Sequence, residues 1–159
     1  VVDDPNTIYG FSFGANYKGF DFSAQFQGAR DFNVYLSEEA AFPFFNGGKV
    51  LRQHLDRWTP DNPGAKYPRT LTEDTNNRVV SSFWLQNANY IRLKNVEVGY
   101  NFSKELLSNF KIDNIRLYLS GLNIFTISDI ENFDPEAPSG RGAFYPQTSS
   151  FTLGLKVSF

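Results

Sequence analysis

The sequence contains no cysteine and no methionine, and it has a single histidine. Without cysteine the chain cannot form disulfides, bind zinc through thiolates or use a thiol nucleophile. No apolar run approaches the ~18–20 residues of a membrane-spanning helix, and no N-terminal segment has the pattern of a signal peptide. The 15 basic and 17 acidic residues nearly balance, which argues against a nucleic-acid-binding protein that depends on phosphate contacts.

Aromatic residues, in contrast, are abundant. They make up 17% of the 159 residues, although the mean hydropathy is only -0.37. Most of the apolar surface is therefore concentrated in rings, with polar residues around them. This composition is too aromatic for a disordered chain and indicates surfaces that alternate between apolar and polar positions.

Five stretches alternate between apolar and polar residues with the period of two that is typical of β-strands. They cover about residues 8–17, 20–28, 90–102, 115–127 and 150–159. Only Lys18 and Gly19 separate the first two stretches, which predicts a tight hairpin. Residues 103–114 join the third and fourth stretches, and Lys104 to Leu107 could form a short helical turn there.

The two remaining connections, about residues 29–89 and 129–149, are long. A structureless connection as long as the first is unusual in a compact soluble domain, whereas outer-membrane barrels alternate short periplasmic turns with long extracellular loops. Rings near the strand ends, such as Tyr17, Phe110 and Phe159, fit the aromatic girdles of such barrels. Five strands would leave two open edges, which lipid cannot satisfy. We therefore expect an all-β chain that forms part of a larger barrel.

A soluble β-sandwich that serves as a binding or adhesion module is the alternative. It would have to hide the phenylalanine-rich face of every strand inside one core.

An enzyme is not expected, because no Ser/His/Asp set can be placed together from the sequence. His54 is the only histidine, and a lone loop histidine is usually a hydrogen-bonded surface residue rather than a base or a ligand. Residues 49–58 around it read as a short amphipathic helix.

The third stretch changes phase near Asn95, because Ile91 and Leu93 share parity with Glu97. Either a β-bulge or a strand portion that stands above the membrane would explain the change.

The acids Asp129, Glu131, Asp134 and Glu136 alternate like ligands but lack the glycine of a calcium loop. No cofactor is therefore expected, although calcium in this loop stays possible.

Four segments resemble the SusC/RagA family of TonB-dependent transporters, in the order and spacing of that family. They are residues 87–100 (NANYIRLKNVEVGY), 115–126 (IRLYLSGLNIFT), 133–136 (FDPE) and 145–155, which contain YP and FTLGL. Residues 17–22 and 57–63 are similar to further family segments. The chain departs from the family at Glu97, where a hydroxyl residue is expected, and at Leu122, where glutamine is usual.

The resemblance implies the C-terminal five strands of a barrel of about 22 antiparallel strands, without its plug domain and N-terminal strands. Such a barrel lies in the bacterial outer membrane and imports oligosaccharides or peptides, energised through the TonB complex and covered by a SusD-like lipoprotein. The implied partners are the rest of the barrel, this lipoprotein, TonB through the missing N-terminal part, lipid and substrate. The C-terminal Phe159 would be periplasmic, and the two long loops would be extracellular.

Three groups of candidate residues follow. Residues that match the C-terminal assembly signal of outer-membrane barrels are Thr152, Gly154, Val157 and Phe159. Residues expected to face lipid are Phe11, Phe13, Phe22, Phe26, Val98, Tyr100, Leu153 and Leu155. Loop residues expected to contact substrate or the lipoprotein lid are Arg52, Trp58, Tyr67, Arg69 and Trp84, because rings stack on sugars or apolar side chains and arginines hold polar groups.

Overall fold

The computed structural model describes residues 4–72, 76–103 and 112–159. The helical turn expected at Lys104 to Leu107 and the girdle residue Phe110 lie outside the described residues. The chain divides into two compact units. The loop unit comprises Val1–Asn6, Asp31–Asn89 and Asp129–Pro146, and the sheet unit comprises Thr7–Arg30, Tyr90–Ser128 and Gln147–Phe159.

The described residues form the strands β1 (Thr7–Tyr17), β2 (Phe20–Arg30), β3 (Asn33–Tyr35), β4 (Leu85–Asn87), β5 (Tyr90–Asn101), β6 (Asn114–Ser128) and β7 (Ser150–Ser158). In the sheet unit, five of them form one antiparallel sheet in the order β1-β2-β5-β6-β7. The all-β, antiparallel architecture is confirmed. Lys18 and Gly19 both have positive φ, of 48° and 88°, which is the requirement of a two-residue type I′ hairpin turn.

The strand register separates the sheet unit into an apolar face and a polar face. Residues directly opposite each other in an antiparallel pair point to the same side. One row across the apolar face contains Ala15, Phe22, Val98, Leu119 and Leu153. The row beside it on the polar face contains Gly14, Ser23, Glu97, Ser120 and Thr152. All eight residues expected to face lipid lie on the apolar face.

A β-bulge in the first half of β5 keeps the apolar and polar faces separate. Gln25 pairs with Asn95 but the next residue, Phe26, pairs with Leu93, so that Lys94 is an extra residue. The register between β5 and β6 shifts at the same place. Of the two explanations for the phase change in the sequence, the bulge is the correct one. It returns Leu93 and Ile91 to the apolar face.

Glycine allows large side chains to lie across the sheet. Gly154 is directly opposite Tyr118 on the polar face, and a Cβ at this position would collide with the Tyr118 ring. Gly99 is covered in the same way by the guanidinium of Arg116. The glycines therefore let one tyrosine and one arginine lie flat against the backbone of neighbouring strands.

Arg116 links three strands on the polar face. Its Nε donates to Asp21 Oδ2 on β2 at 2.9 Å, its Nη2 donates to Asp21 Oδ1, and Nη2 also donates to Glu97 Oε1 on β5 at 2.6 Å. Asn101 Nδ2 donates to Asp21 Oδ2 at 2.8 Å. The guanidinium thus forms ion pairs with two carboxylates and ties β6 to β5 and β2. This pairing gives a physical reason for Glu97, one of the two residues that depart from the family pattern.

The loop unit contains structure that the sequence analysis did not predict. β3 and β4 form a two-stranded antiparallel sheet. Helical segments are short, namely α1 (Glu38–Ala41) and 3-10 turns at Phe45–Gly47, Arg52–Leu55 and Ser82–Trp84. The prediction of an amphipathic helix at residues 49–58 is wrong, because only the single turn Arg52–Leu55 forms there.

Buried apolar residues are concentrated in the loop unit. Its core includes Phe32, Val34, Leu36, Ala41 and Trp84. In the sheet unit, β1 is exposed along its whole length. No helix among the described residues is long and apolar enough to cross a membrane.

The Arg116 pairing predicts a measurable loss of stability on substitution. Arg116→Ala should lower the free energy of unfolding by about 2 kcal/mol, because it removes charge-assisted hydrogen bonds and leaves Asp21 and Glu97 without their shared cation. Unfolding of the full-length protein by guanidinium chloride, in detergent, measures this change in the free energy of unfolding. Arg116→Lys, which keeps the charge but not the forked geometry, should recover part of it. An unchanged unfolding midpoint in Arg116→Ala would contradict this role.

Candidate functional site

Four of the five predicted loop-contact residues lie around one cavity of the loop unit. The cavity has a volume of about 520 Å³, and Trp58, Tyr67, Arg69 and Trp84 are among its lining residues. Arg52, the fifth, does not line it. The wall also contains Lys66 and Phe83, two residues that the sequence analysis did not single out as site residues in this loop.

One wall of the cavity is built by a chain reversal around Pro60. Asn62 N donates to Thr59 O at 3.0 Å, which closes a turn with proline at its second position. Trp58 N then donates to Tyr67 O at 2.8 Å. The backbone therefore holds the Trp58 and Tyr67 segments side by side, and the segment that resembles a family motif has a structural role here.

The Asp56 carboxylate supports this wall from one end. Its Oδ1 accepts a hydrogen bond from Asn62 Nδ2 at 3.2 Å, and its Oδ2 accepts from Lys66 N at 3.2 Å. Its backbone oxygen accepts from Tyr67 N at 3.1 Å. One aspartate thus connects the beginning, the turn and the end of the reversal.

Rings form the rest of the cavity. Trp84 is only 3% exposed, and its indole Nε1 donates to Asn77 O at 3.0 Å. Phe83 packs at right angles on Trp84 with a centroid distance of 4.7 Å. Trp58 and Phe83 are 38% and 52% exposed. Tyr67 and Trp84 therefore support the cavity, while Trp58 and Phe83 present accessible rings.

Accessible rings beside cations can serve two kinds of ligand. An aromatic face packs against a sugar ring or against an apolar side chain, and Lys66 and Arg69 can hold hydroxyl, carbonyl or carboxylate groups. The arrangement supplies binding groups, and the described residues that line the cavity include no Asp or Glu.

His54 is buried rather than at the surface. It is 3% exposed, so the surface position expected from the sequence is wrong, although the ring is hydrogen-bonded. Its Nδ1 accepts from Leu51 N at 3.2 Å, and its Nε2 lies 2.9 Å from Ala41 O. Burial lowers the pKa of His54 below its usual value, against the opposing effect of the Ala41 carbonyl. The ring packs edge-on against Tyr67 at a centroid distance of 5.6 Å.

The β6–β7 connection is joined to the β2–β5 connection within the loop unit. Ser37 N donates to Gly140 O at 3.0 Å, and Gly140 N donates to Tyr35 O at 2.8 Å. Arg141 Nη2 donates to Glu39 Oε1 at 2.6 Å. A hydrogen bond from its own backbone amide, and then Arg141, hold the pKa of Glu39 below its usual value.

The acidic stretch of the β6–β7 connection forms turns. Asp134 Oδ1 accepts a hydrogen bond from Glu136 N at 2.9 Å, and Ala137 N donates to Asp134 O at 2.9 Å. Within the part of the chain that the structure describes, no three or more His, Asp and Glu residues come together as metal ligands.

The predicted assembly residues lie on and just beyond β7. Thr152 and Gly154 occupy the polar face and Val157 the apolar face, as their pairing with Ser120, Tyr118 and Ile115 requires. Phe159 follows the last strand residue and is exposed.

Comparison with known proteins places the chain among outer-membrane receptors, although no family model matches it. TonB-dependent receptor P26 of Formosa agariphila is 32% identical over 169 residues, which cover 98% of this chain and 17% of that protein. TonB-dependent receptor SusC of Bacteroides thetaiotaomicron is 27% identical over 97% of this chain and 15% of its own length.

Solved structures agree. The RagAB peptide importer in its closed-closed state superimposes with a TM-score of 0.78 at 26% identity, covering 98% of this chain and 17% of that chain. The open-open state gives a TM-score of 0.76 over the same shares. The chain thus spans about a sixth of the length of the proteins that it matches.

The position of Asp56 predicts how the cavity wall can be loosened. Asp56→Ala removes two hydrogen bonds worth about 1 kcal/mol each, so the amides of Trp58 and Tyr67 should exchange with solvent at least about tenfold faster. Hydrogen–deuterium exchange of the full-length protein, followed by mass spectrometry, measures the rate. Asp61→Ala, in the exposed turn of the same reversal, is the matched control. Equal acceleration in both variants would count against the role of Asp56.

Proposed function

Because the chain belongs to the SusC/RagA-type TonB-dependent receptors, a family of outer-membrane transporters and not of enzymes, we propose that its full-length protein is an active importer. Its cargo is an oligosaccharide or a peptide, and its energy comes from the inner membrane through TonB. A SusD-like surface lipoprotein covers its outer opening.

The division of the sheet into two faces is the single observation that carries this proposal. The apolar face presents Phe11, Phe13, Leu153 and Leu155 as exposed side chains. The polar face presents serine, glutamine, asparagine and charged residues. In a transmembrane barrel the first face contacts lipid and the second faces the interior. The eight apolar-face residues predicted from the sequence would be part of the lipid contact.

Orientation follows from the lengths of the connections. Outer-membrane barrels have short periplasmic turns and long extracellular loops. The Lys18-Gly19 turn and the C-terminal end at Phe159 would then be periplasmic, and the loop unit would be extracellular. Thr152, Gly154, Val157 and Phe159 would serve as the signal by which the insertion machinery recognises the last strand.

The cavity of the loop unit is the proposed contact site for substrate or lid. Trp58 and Phe83 supply accessible rings, Arg69 supplies a cation, and Tyr67 and Trp84 keep the rings in place. Arg52 lies outside this cavity, so its predicted contact would be with the lipoprotein rather than with the cavity ligand.

Uptake by whole cells tests the proposal. Deletion of the full-length gene should abolish growth on the glycan or peptide that the strain takes up through this protein, and plasmid-borne wild type should restore it. Arg69→Ala and Trp58→Ala should each raise the half-saturating substrate concentration about tenfold, a change of about 1.4 kcal/mol. Lys49→Ala, at an exposed cation of the same loop that does not line the cavity, is the control and should leave this concentration unchanged. Growth that does not depend on the gene under any tested nutrient would refute import, and equal effects of Lys49→Ala and Arg69→Ala would refute the assigned site.

A further inference from the structure

We propose that His54 is an acid-sensitive latch of the loop unit, whose ring protonation releases the segment around Ala41 and Leu51 and loosens the cavity lined by Trp58 and Tyr67. Its structural part depends only on the contacts of His54. Its consequence for ligand or lid binding rests on the proposed function.

The two ring nitrogens have fixed and opposite hydrogen-bonding roles. Nδ1 faces the backbone N–H of Leu51 at 3.2 Å, so it must carry a lone pair. Nε2 faces the carbonyl oxygen of Ala41 at 2.9 Å, so it must carry the proton. Only the neutral ring with its proton on Nε2 satisfies both partners.

Protonation breaks this arrangement. A second proton on Nδ1 would point directly at the Leu51 N–H, so that two donors would face each other inside a buried site. The contact to Ala41 would survive, but the contact to Leu51 would have to open. Because His54 is 3% exposed, water cannot replace the lost partner without movement of the segment.

The described neighbours of His54 offer a charged ring no compensation. Among the residues that the structure describes, those that line the hollow around His54 include Arg69 and Arg78 and no carboxylate. Tyr67 presents its ring from the other side. Burial of the site opposes a positive charge on the imidazole.

Movement of the His54 turn would reach the cavity by direct contact. The ring packs against Tyr67 at 5.6 Å, and the Tyr67 carbonyl oxygen holds Trp58. Beside it, Gln53 Nε2 donates to Ala40 O at 3.0 Å and Gln53 Oε1 accepts from Asn132 Nδ2 at 3.0 Å. The turn Arg52–Leu55 therefore joins the α1 region, the cavity wall and the β6–β7 connection.

The direction of the pH dependence follows from linkage. In the latched state the pKa of His54 lies below its ordinary value, which is about 6.5 and applies to the opened segment. The open state therefore binds more protons, and the latch is complete above about pH 6.5 and weakens as the pH falls. Between the two pKa values, each pH unit shifts the equilibrium about tenfold toward the open state.

Hydrogen–deuterium exchange across pH tests the latch in the full-length protein, with rates corrected for the intrinsic pH dependence of exchange. Protection of residues 38–58 and of Tyr67 should fall between pH 7 and pH 4.5, while protection of β5 and β6 stays constant. His54→Gln keeps a donor for Ala41 but cannot titrate, so its protection should not change over this range.

Constant wild-type protection of residues 38–58 down to pH 4.5 would overturn the proposal even if His54→Gln did not fold. The same pH profile in His54→Gln and wild type would overturn it as well. Failure of import at neutral pH, where the latch is closed, would refute the proposed function and leave the latch untouched, so the two failures are distinguishable.

Discussion

The sheet unit depends on one constraint, which is that most of its apolar side chains are on one side of a single layer. The strands satisfy their backbone groups by pairing, but pairing does not cover a face. β1 is exposed along its length, and Phe11, Phe13, Leu153 and Leu155 on the outer strands are all exposed as well. A soluble sandwich would pack such a face on a second sheet. Burial of this face in lipid, as proposed, would account for a five-stranded sheet that has no second layer among the described residues.

Other features of the sheet preserve this constraint. The extra residue Lys94 restores the apolar face where a straight strand would have exchanged the two faces. On the opposite face, Arg116 partly balances the negative charges of Asp21 and Glu97, to both of which it is hydrogen-bonded. Polar side chains thus remain on the side where water or other protein groups can reach them. The loop unit follows the ordinary rule of globular proteins and buries Trp84 and its neighbours in its own core.

The sequence predicted those parts of the molecule that short-range patterns determine. The five strands of the sheet, the Lys18-Gly19 hairpin and the apolar face follow from alternation alone, and four of five loop-contact residues share a cavity. The two explanations of the phase change near Asn95 could be separated only by the pairing partners of β5. The sequence analysis also missed contacts between residues distant in the chain. No short-range sequence pattern indicates the β3–β4 pair, the burial of His54 or the pairing of Glu97 with Arg116. The helix expected at residues 49–58 gave way to the single turn Arg52–Leu55, and the side chains of Gln53 and His54 bond to the distant carbonyls of Ala40 and Ala41.

Labelling along β7 tests most directly whether one face of the sheet contacts lipid. Single cysteines at positions 151, 152, 153, 155, 156 and 157 of the full-length protein can each carry an environment-sensitive fluorophore. This chain contains no native cysteine that would also be labelled. In bilayers with brominated lipid, labels at Phe151, Leu153, Leu155 and Val157 should be quenched, and labels at Thr152 and Lys156 should not. Quenching that does not alternate along the strand, or that affects Thr152 and Lys156 instead, would contradict the account.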